Sequence, residues 1–579
     1  MSSTSFNISE DIPKSHRQKK LLKSAGIISM ATMISRILGY IRDMILAQIF
    51  GAEMVADAFF VAFKIPNLLR RLLGEGSLSA SFIPVFTEYI EKRQKEEAWD
   101  LASNILCITV TVTIILTILA ILFAPLIILI LAPGFYADKV KFDLTVLLTR
   151  ILFPYIILIS TVAISMGILN SLRHFAIPAL TPAALNIGII LGAVWLAPKM
   201  KQPIIGVTLG VLIGGLLQLL MQAPILIKKG VNLFINFSLK NKGTKRIGVL
   251  MLPAALGLGV TQINIMVDTL LASFLPEGSI SYLYYSNRLL QLPLALFGIA
   301  LGTALFPTFS SLASQGKTEE LMSTFSFGMR TVLFIIVPAS IGLIVFRVPI
   351  INLLFQRGEF TQAATIATAQ ALFAYSVGLF AFAGLKVTIP VFYAHQDTVT
   401  PVKIGIIAML SNICLNLILM FPLKHAGLAL ATSLSSLINL VFLIKIMKNR
   451  WGMIDGKRII KSSIKISLNS LFMGLICYWF ISYKFRIYLV PGQVLIKIFY
   501  LFSGIVIGVI VYLIINYLTK SEELDFFGTH FLKRKSIKLS PRIALVSTVA
   551  SPLIRLHGLQ EGNRYPMDTG DVSQFRQNR

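Results

Sequence analysis

Charged residues are scarce in this chain of 579 residues, and acidic residues are the scarcest of them. Charged residues make up 14% of the sequence, whereas a typical soluble domain carries about 25%. Hydrophobic residues make up 55%, and the mean hydropathy is +0.78. This balance excludes a soluble enzyme and predicts a polytopic membrane protein.

The residue patterns of metal and redox sites are also missing. The three cysteines (Cys107, Cys414 and Cys477) lie in apolar runs without paired spacing, and the six histidines are scattered. The sequence contains neither a Walker motif nor an H-E-x-x-H motif. A disulfide framework, a zinc site and an ATP-driven pump are therefore disfavoured. We expect no cofactor and no catalytic residue.

The shortage of acids leaves a strongly basic chain. Lys and Arg number 53 against 26 Asp and Glu, which gives a net charge of +27. Such an excess is compatible with binding to nucleic acid, to anionic lipid or to an anionic substrate. The basic residues lie mainly between apolar runs, so we expect membrane lipids and not nucleic acid as partners.

Apolar runs of spanning length recur along the whole chain. About 20 apolar residues cross the hydrocarbon core of a bilayer, and this measure predicts an all-α protein with fourteen transmembrane segments. The segments lie near 24–50, 54–90, 101–131, 143–171, 177–197, 204–227, 248–275, 280–309, 325–350, 363–394, 401–422, 426–446, 463–482 and 494–518. Basic residues concentrate in alternate connections, which predicts that both termini are cytoplasmic.

Short motifs that recur about 220 residues apart indicate a duplication. The sequence Ser-Phe-Ile-Pro-Val-Phe at 81–86 echoes Leu-Phe-Pro-Thr-Phe at 305–309, and Thr181-Pro182 echoes Thr400-Pro401. Two parallel lobes of six helices are typical of transporters that bind substrate between the lobes; a chance match is the alternative. The predicted domains are a basic cytoplasmic N-terminus (1–23), an N-lobe (24–228), a cytoplasmic linker (229–247), a C-lobe (248–446), two further helices (447–518) and a polar, basic cytoplasmic tail expected to be disordered (519–579).

Three charges lie inside the first predicted span. Each of Arg36, Arg42 and Asp43 would cost about 2.5–3.5 kcal/mol at the centre of a lipid-facing helix. We therefore expect them to face water, a ligand or each other. Arg36, Gly39 and Asp43 share one face of a helix, and Arg42 lies off that stripe.

The second and eighth spans add more charges. Asp57, Lys64 and Arg71 are seven residues apart and are expected on one side of a helix. Together the cations outnumber the acids: Arg36, Arg42, Lys64, Arg70, Arg71 and Arg288 against Asp43, Asp57 and Glu75. Surplus guanidinium groups suit a pyrophosphate or a carboxylate, because the planar fork binds such oxygens in a bidentate manner.

Structural roles are the alternative for these charges. Arg70 and Arg71 lie near a helix end, where long side chains extend to the membrane interface. Arg36 and Arg288 would then form structural ion pairs, and Asp57 would orient an arginine.

A separate group of polar residues occurs in the seventh, eleventh and twelfth spans. Asp268, Asn412, Asn416 and Thr432 supply oxygen atoms that suit a coupling cation such as Na⁺. Hydrogen bonding between helices is the alternative interpretation.

Two highly specific motifs, Ser-Arg-Ile-Leu-Gly-Tyr-Ile-Arg-Asp at 35–43 and Asp-Ala-Phe-Phe-Val-Ala-Phe-Lys-Ile-Pro-Asn-Leu-Leu-Arg-Arg at 57–71, resemble the MurJ/MviN family of lipid II flippases. The segments 284–288, 396–403 and 423–428 resemble the same family, and the likeness runs from about residue 20 to about residue 520. It implies fourteen helices, in two lobes of six and a terminal pair, around a cationic cavity. It also implies a non-enzymatic transporter of the bacterial inner membrane that works by alternating access. The cargo would be the undecaprenyl-pyrophosphate-linked peptidoglycan precursor, moved to the outer leaflet for cell-wall synthesis.

The resemblance also implies roles for individual residues. The expected functional set of the family corresponds to Arg36, Arg42, Arg70, Arg288 and Asp57. Together with the charge pattern above, this predicts pyrophosphate-binding residues and supporting or gating residues. The first group is Arg36, Arg42, Arg70, Arg71, Arg288 and Lys64, and the second is Asp43, Asp57, Glu75, Ser35 and Asn287. Some members have a sodium site that would correspond to Asp268, Asn412, Asn416 and Thr432; Asn416 stands where an acid can occur. Na⁺, H⁺ or the membrane potential is the expected driving force, and cell-wall synthesis enzymes are the candidate protein partners. The alternatives are an exporter of another lipid-linked saccharide or of drugs, and a scaffold for cell-wall enzymes.

Overall fold

The structure is a computed structural model that describes residues 14–73, 77–93, 95–238, 240–452, 455–484 and 493–524. The side chains of 14–25, 27–28, 71–73 and part of 252–261 lie outside this description. Within the described ranges, all regular secondary structure is helical, as the hydropathy predicts.

The first half of the chain forms helices α1 to α9. In order, they span Lys14–Phe50, Met54–Leu73, Ser77–Lys92, Lys95–Leu122, Ala124–Leu131, Lys139–Leu152, Tyr155–Ser171, Ala176–Leu191 and Pro203–Lys228. Each of the first six predicted segments lies on one of these helices or on two consecutive ones. We call the end of the bundle at which α1 ends the distal end.

The second half forms helices α10 to α18. In order, they span Lys242–Ala272, Ser279–Pro293, Ala300–Ser314, Thr318–Leu354, Gln362–Val377, Leu379–Ala394, Val399–Trp451, Gly456–Lys484 and Val494–Leu518. Helix α16 contains two predicted segments, separated at Lys424, where the backbone turns to φ 50° and ψ −132°. A π-helical turn, Leu294–Ile299, joins α11 to α12.

The number of membrane crossings stays a prediction. Among the described residues, nine helices or helix pairs are long and apolar enough to cross, and the pair α14–α15, bent by 42°, is a tenth. The other predicted crossings are α1, the pair α2–α3, α10 and the second half of α16. The charged residues in α1 and α2 lower the mean hydropathy of these two helices.

The eighth predicted segment is interrupted, and the second is described as two helices on either side of residues 74–76. Helix α2 ends at Leu73 and α3 begins at Ser77, while a π-helical turn separates α11 from α12. The recurring motifs lie on the second helix of each pair, with Pro84 inside α3 and Pro307 inside α12. A proline inside a helix removes one backbone hydrogen bond and favours such bends.

Aromatic side chains join α2 to α11 and α13 near the distal end. The ring of Phe60 stacks on Tyr284 with centroids 4.0 Å apart, and Tyr285 packs on Phe355 at 4.9 Å. Tyr285 and Phe355 are fully buried. Aromatic pairs of this kind add about 0.5–1.5 kcal/mol beyond the burial of their surface, so this core holds the polar groups of α1, α2 and α11 in place.

Helices α8 and α9 approach closely through small residues. A Cβ at Gly188 would collide with the backbone of Gly214, and a Cβ at Gly192 would meet Gly206 and Gly210. Small residues at the contact let transmembrane helices pack backbone to backbone. This contact supports α8, which carries Asn186 toward the site described below.

The chain divides into two compact units at Tyr512. The unit that ends at Tyr512 contains α1 to α17 and most of α18. In the second unit, the described residues comprise the end of α18 and a last helical turn at 522–524. The predicted lobes and linker remain predictions.

Candidate functional site

Asp43 is the centre of a buried ionic network between α1, α8 and α11. Its carboxylate is fully buried, and its Oδ1 accepts hydrogen bonds from Arg42 Nη2 at 2.6 Å and from Tyr284 Oη at 3.1 Å. Arg42 also donates to Asn186 Oδ1 at 3.0 Å and to Tyr284 Oη at 2.9 Å. The guanidinium of Arg42 is thus directed at protein partners, with 12% of its side chain exposed.

Arg288 reaches the same carboxylate from α11. Its Nε lies 2.9 Å from Asp43 Oδ2, and 29% of its side chain is exposed. The guanidinium carbon lies 5.1 Å from the centre of the Tyr40 ring, and Tyr40 donates a hydrogen bond to the Arg288 carbonyl at 3.0 Å. Neither Nη group of Arg288 donates to a described residue. The side chain is held by Nε, and its Nη2 packs against Gly39 of α1.

Arg36 lies two helical turns before Asp43 on α1. Its side chain is exposed and forms no ion pair with any residue that the structure describes. The Ser35 carbonyl accepts a hydrogen bond from Asn186 Nδ2 at 3.0 Å, which ties this part of α1 to α8. On α11, Asn287 accepts a hydrogen bond from Gln291 at 2.6 Å on an exposed face.

Asp57 has a different role from the one that we expected. It pairs with a lysine and not with an arginine: Lys141 Nζ donates to Oδ2 at 2.9 Å, and both side chains are buried. The same carboxylate accepts the backbone N–H groups of Gly278 and Ser281, each at 2.9 Å. These amides open α11, where the positive end of the helix dipole favours an anion. Asp57 therefore joins α2 and α6 to the start of α11.

The structure describes only some of the remaining charged residues of the second span. Lys64 is half-buried, and its charge acts on Asp268. Arg70 is half-buried as well, and its Nε donates to Asn67 Oδ1 at 3.1 Å. The side chain of Arg71 and the whole of Glu75 lie outside the described residues.

The four polar residues of the predicted cation site lie together. Asn416 Nδ2 donates to Asp268 Oδ1 at 2.7 Å. With the Asn412 amide oriented to satisfy both of its atoms, its Nδ2 donates to Asp268 Oδ1 at 3.0 Å and its Oδ1 accepts from the backbone N–H of Thr432 at 3.2 Å. Asn264, which we did not predict, lies 3.4 Å from Asp268 Oδ2. The Oδ1 atom of Asn416 is buried and accepts no hydrogen bond from a described residue. The cluster offers oxygen ligands, which suit hard cations.

Contacts between the two halves of the chain close the distal end around this network. The amide of Glu359 donates to the carbonyl of Gln48 at 2.9 Å. Gly134 N donates to Ser273 Oγ at 3.0 Å, and the amide of Met54 bonds the carboxylate of Glu277. Together with the Asp57 contacts, they hold the end of α1 and the start of α2 against the second half.

Sequence reasoning missed several residues of the site. Lys141 stands at the start of a span, where it resembles an ordinary interfacial cation, and Tyr284 and Asn186 carry no charge. Lys386, the one charged residue in the apolar run 379–394, is a different case, because it forms no hydrogen bond or ion pair with the described residues of this network. It is exposed, pairs with no described acid, and its backbone packs on Gly302 of α12.

A long helical bundle with interrupted helices and a buried ionic network at its centre defines a multi-pass membrane transporter. The fold is shared with solved transporters of the MOP superfamily. One is described as the inward-facing conformation of a multidrug resistance MATE family transporter; the TM-score is 0.55 at 14% identity, over 73% of this chain and 98% of that one. At that identity the likeness concerns the fold alone.

Closer relatives specify the family. The sequence model of the lipid II flippase MurJ family matches residues 46–500, and the chain belongs to this family. It is 43% identical over 437 residues to a probable lipid II flippase MurJ of Vibrio cholerae, covering 74% of this chain and 83% of the relative. It is 36% identical over 519 residues to the corresponding protein of Buchnera aphidicola subsp. Schizaphis graminum, covering 89% and 100%. A solved lipid II flippase MurJ in an inward closed conformation superposes with a TM-score of 0.71 at 33% identity, over 85% and 98%.

These relatives identify a multi-pass protein of the bacterial inner membrane. They confirm the resemblance read from 35–43 and 57–71. The orientation of the termini, the coupling ion and the roles of individual residues remain predictions.

Proposed function

We propose that this protein moves lipid II, the undecaprenyl-pyrophosphate-linked peptidoglycan precursor, from the cytoplasmic to the outer leaflet by alternating access. Both termini would be cytoplasmic, so the distal end would face outward. The names of its relatives support this cargo over drugs and over a scaffold role. The observation that carries the proposal is the arrangement of Arg288, whose Nε pairs with Asp43 while both Nη groups stay available.

Charge and geometry both suit a pyrophosphate. Two Nη groups in one plane match two phosphate oxygens, and the exposed guanidinium of Arg36 adds a second positive charge on α1. Because an arginine that faced acyl chains in mid-span would be costly, we propose that both face a water-filled cavity. Asp43 holds Arg288 and Arg42 in place without neutralising all of this charge.

Release of the headgroup requires the distal end to open. The contacts that must break are those of Asp57 with Gly278 and Ser281 and that of Gln48 with Glu359. All of them join the start of α2 or the end of α1 to the second half of the chain. We propose that they act as the outer gate, with Lys141 remaining the ion-pair partner of Asp57 when the gate opens.

A sodium ion is the proposed coupling ion. Its ligands would be oxygens of Asp268, Asn412, Asn416 and Thr432. The buried Oδ1 of Asn416 supports this assignment, because it accepts no hydrogen bond from the part of the chain that the structure describes. Thermal melting of the purified protein in NaCl and in choline chloride tests the site. Sodium should raise the melting temperature of the wild type but not of Asp268→Ala. Equal melting in both salts would exclude sodium binding.

The transport proposal is tested by a leaflet-accessibility assay in cells whose native gene can be switched off. Externally accessible lipid II should fall on depletion and recover with the wild type but not with Arg36→Ala or Arg288→Ala. Arg173→Ala is the matched control, because Arg173 is an exposed arginine outside the site. Full recovery with both site variants, at normal protein levels, would refute the assignment.

A further inference from the structure

The connection between α9 and α10 presents apolar side chains away from the protein. Its residues 231–238, which we call the connecting segment, have no regular secondary structure. Phe234, Ile235 and Phe237 of this segment are 46%, 96% and 57% exposed. Large apolar side chains that are exposed together mark a surface that contacts a partner or a membrane.

The polar groups of the connecting segment face the protein. Asn236 Nδ2 donates to Asp100 Oδ1 on α4. The backbone of Ser238 forms two hydrogen bonds with the buried side chain of Asn104: its N–H donates to Oδ1 at 2.6 Å, and its carbonyl accepts from Nδ2 at 2.8 Å. These contacts hold the segment on α4 and fix which side chains point outward. Polar groups inside and apolar groups outside are the reverse of the arrangement expected in water.

The connecting segment also lies beside the apolar part of α4, a helix apolar enough to cross a membrane. The backbone N–H of Phe234 donates to Ser103 Oγ at 3.1 Å, and its carbonyl oxygen lies 4.0 Å from Cys107 Sγ. Cys107 is twelve residues from the start of α4, which is about 18 Å along the helix. Only five residues further on, Val112 is 49% exposed, as expected of a side chain that faces lipid. The segment therefore folds back along α4 toward the depth of the lipid.

Irregular backbone at such a depth is tolerated only where protein groups satisfy its hydrogen bonds. Ser103 and Asn104 supply these groups, and both are fully buried. The two side chains thus explain why a loop can lie at the edge of the lipid with its apolar side chains outward.

The two ends of the connection carry only positive charge. Residues 228–246 include six cations and no acidic residue; the cations are Lys228, Lys229, Lys240, Lys242, Lys245 and Arg246. The five lysines are exposed and form no ion pair with a described residue, whereas Arg246 pairs with Glu88 at 2.8 Å. Clusters of about 4–8 such cations next to a spanning helix bind anionic lipid headgroups. Charge complementarity therefore indicates an anionic lipid surface as the partner of this connection.

We propose that the connecting segment inserts Phe234, Ile235 and Phe237 into the lipid leaflet at the end of the bundle opposite the distal end, and that the lysines on either side bind the headgroups of anionic phospholipids. The insertion anchors the junction between the two halves of the chain to the bilayer. It does not depend on the transport proposal, because none of these residues belongs to the cargo site.

Fluorescence quenching of the full-length protein tests the insertion. Ile235→Cys, in a background lacking the three native cysteines, is labelled with an environment-sensitive fluorophore and reconstituted in nanodiscs of phosphatidylglycerol and phosphatidylcholine. We expect nitroxide-labelled lipid to quench the label and aqueous iodide to leave it largely unquenched. Gln315→Cys is the matched control, because Gln315 is exposed in the connection between α12 and α13 at the same end of the bundle. Its label should be quenched by iodide.

The same label measures the preference for anionic lipid. Nitroxide-labelled phosphatidylglycerol should quench the label at position 235 more strongly than nitroxide-labelled phosphatidylcholine at equal mole fraction. The double substitution Lys240→Gln and Lys242→Gln should bring the ratio of the two toward one. Lys201→Gln removes an exposed lysine at the distal end and should leave the ratio unchanged.

Three outcomes would overturn the proposal. Quenching of the label at position 235 by iodide alone would place the connecting segment in water. Protection from both quenchers would show that it is covered by another part of the chain or by a second protein. Equal quenching by the two nitroxide-labelled lipids would show that the lysines do not select anionic headgroups.

Discussion

Asp43 on α1 and Arg288 on α11 form an ion pair across the two halves of the chain, with Asp43 Oδ2 2.9 Å from Arg288 Nε. The carboxylate is fully buried, whereas the guanidinium is partly exposed. The pair therefore links the two halves while leaving part of a cation open to a ligand. Under the transport proposal, an anion that binds the Nη groups would be held between α1 and α11 through this link.

The first prediction concerns the shape of the Arg288 side chain. Arg288→Lys keeps the charge but loses the planar donor geometry of the guanidinium. A single ammonium lacks the separate Nε and Nη groups that would bind Asp43 and two phosphate oxygens at the same time. We expect the transport rate to fall about tenfold, the cost of one charge-assisted contact, and Arg288→Ala to be inactive. Lipid II flipping by purified protein in vesicles measures both. A lysine variant as fast as the wild type would mean that charge alone suffices.

The second prediction uses the close approach of Gly39 to Arg288. A Cβ at position 39 would collide with Arg288 Nη2, so Gly39→Ala should displace the guanidinium and reduce transport without removing a charge. Gly405→Ala is the matched control, since a Cβ there meets no atom within 4 Å. The two variants should insert equally well and differ in flipping rate. Equal rates would show that the position of Arg288 is not critical.

The third prediction concerns the buried pair of Asp57 and Lys141. Removing one partner leaves an uncompensated buried charge, which costs about 3–5 kcal/mol. Asp57→Ala and Lys141→Ala should each be strongly destabilised, and the double variant should be more stable than the sum predicts. Denaturation of the four proteins measures the coupling free energy. The exposed pair of Glu88 and Arg246 is the control cycle, with a coupling of about 0–1 kcal/mol.

Helical spacing predicted only part of the site. Hydropathy predicted the helices, and the cost of buried charge identified Asp43, Arg288 and Asp268 as residues that need polar surroundings. Their partners on other helices could not be read from spacing along one helix. Asp57 is an example. The spacing of Asp57, Lys64 and Arg71 places them on one side of a helix, but the Asp57 carboxylate binds Lys141, which lies 84 residues away.

The cation cluster illustrates the same limit in another way. Asp268, Asn412, Asn416 and Thr432 attracted attention because polar groups in apolar helices need partners, and they do lie together. Asn264 was missed although it gives the same signal, since it is a polar residue one helical turn before Asp268 in the same apolar run. The break in α16 at Lys424, in contrast, was predicted, because the predicted segments 401–422 and 426–446 lie on either side of it.

The fourth prediction tests the outer gate. Gln48 and Glu359 share a backbone hydrogen bond, so their Cα atoms lie about 5–6 Å apart, within the range of a disulfide. Cysteines at both positions, in a background lacking the three native cysteines, should cross-link under mild oxidation. The cross-link should stop transport, and reductant should restore it. Each single cysteine variant is the control; unimpaired flipping by the cross-linked protein would exclude a gate at this contact.

The fifth prediction concerns pH and Asp397, which lies between α15 and α16. Its Oδ1 accepts the backbone N–H of Thr400 at 2.9 Å, and its Oδ2 pairs with Arg450 at 2.5 Å. Burial raises the pKa of Asp397, but the hydrogen bonds from Thr400 and Arg450 outweigh burial, so its pKa lies below the usual 3.8. The ionised carboxylate thus contributes stability that is fully present above pH 3.8 and is lost as the pH falls through the lower folded pKa.

Asp397→Asn keeps a side-chain oxygen that can accept the backbone N–H of Thr400 but removes the negative charge. At pH 7 the variant should be about 1 kcal/mol less stable than the wild type, as expected for a partly exposed ion pair. The difference should shrink as the pH falls below 3.8, because the wild-type carboxylate then takes up a proton and resembles the amide. Thermal melting of both proteins from pH 7 to pH 3 measures this convergence, and the common titration of other carboxylates cancels in the comparison. A difference that stays constant over the whole range would show that the charge of Asp397 does not stabilise the connection between α15 and α16.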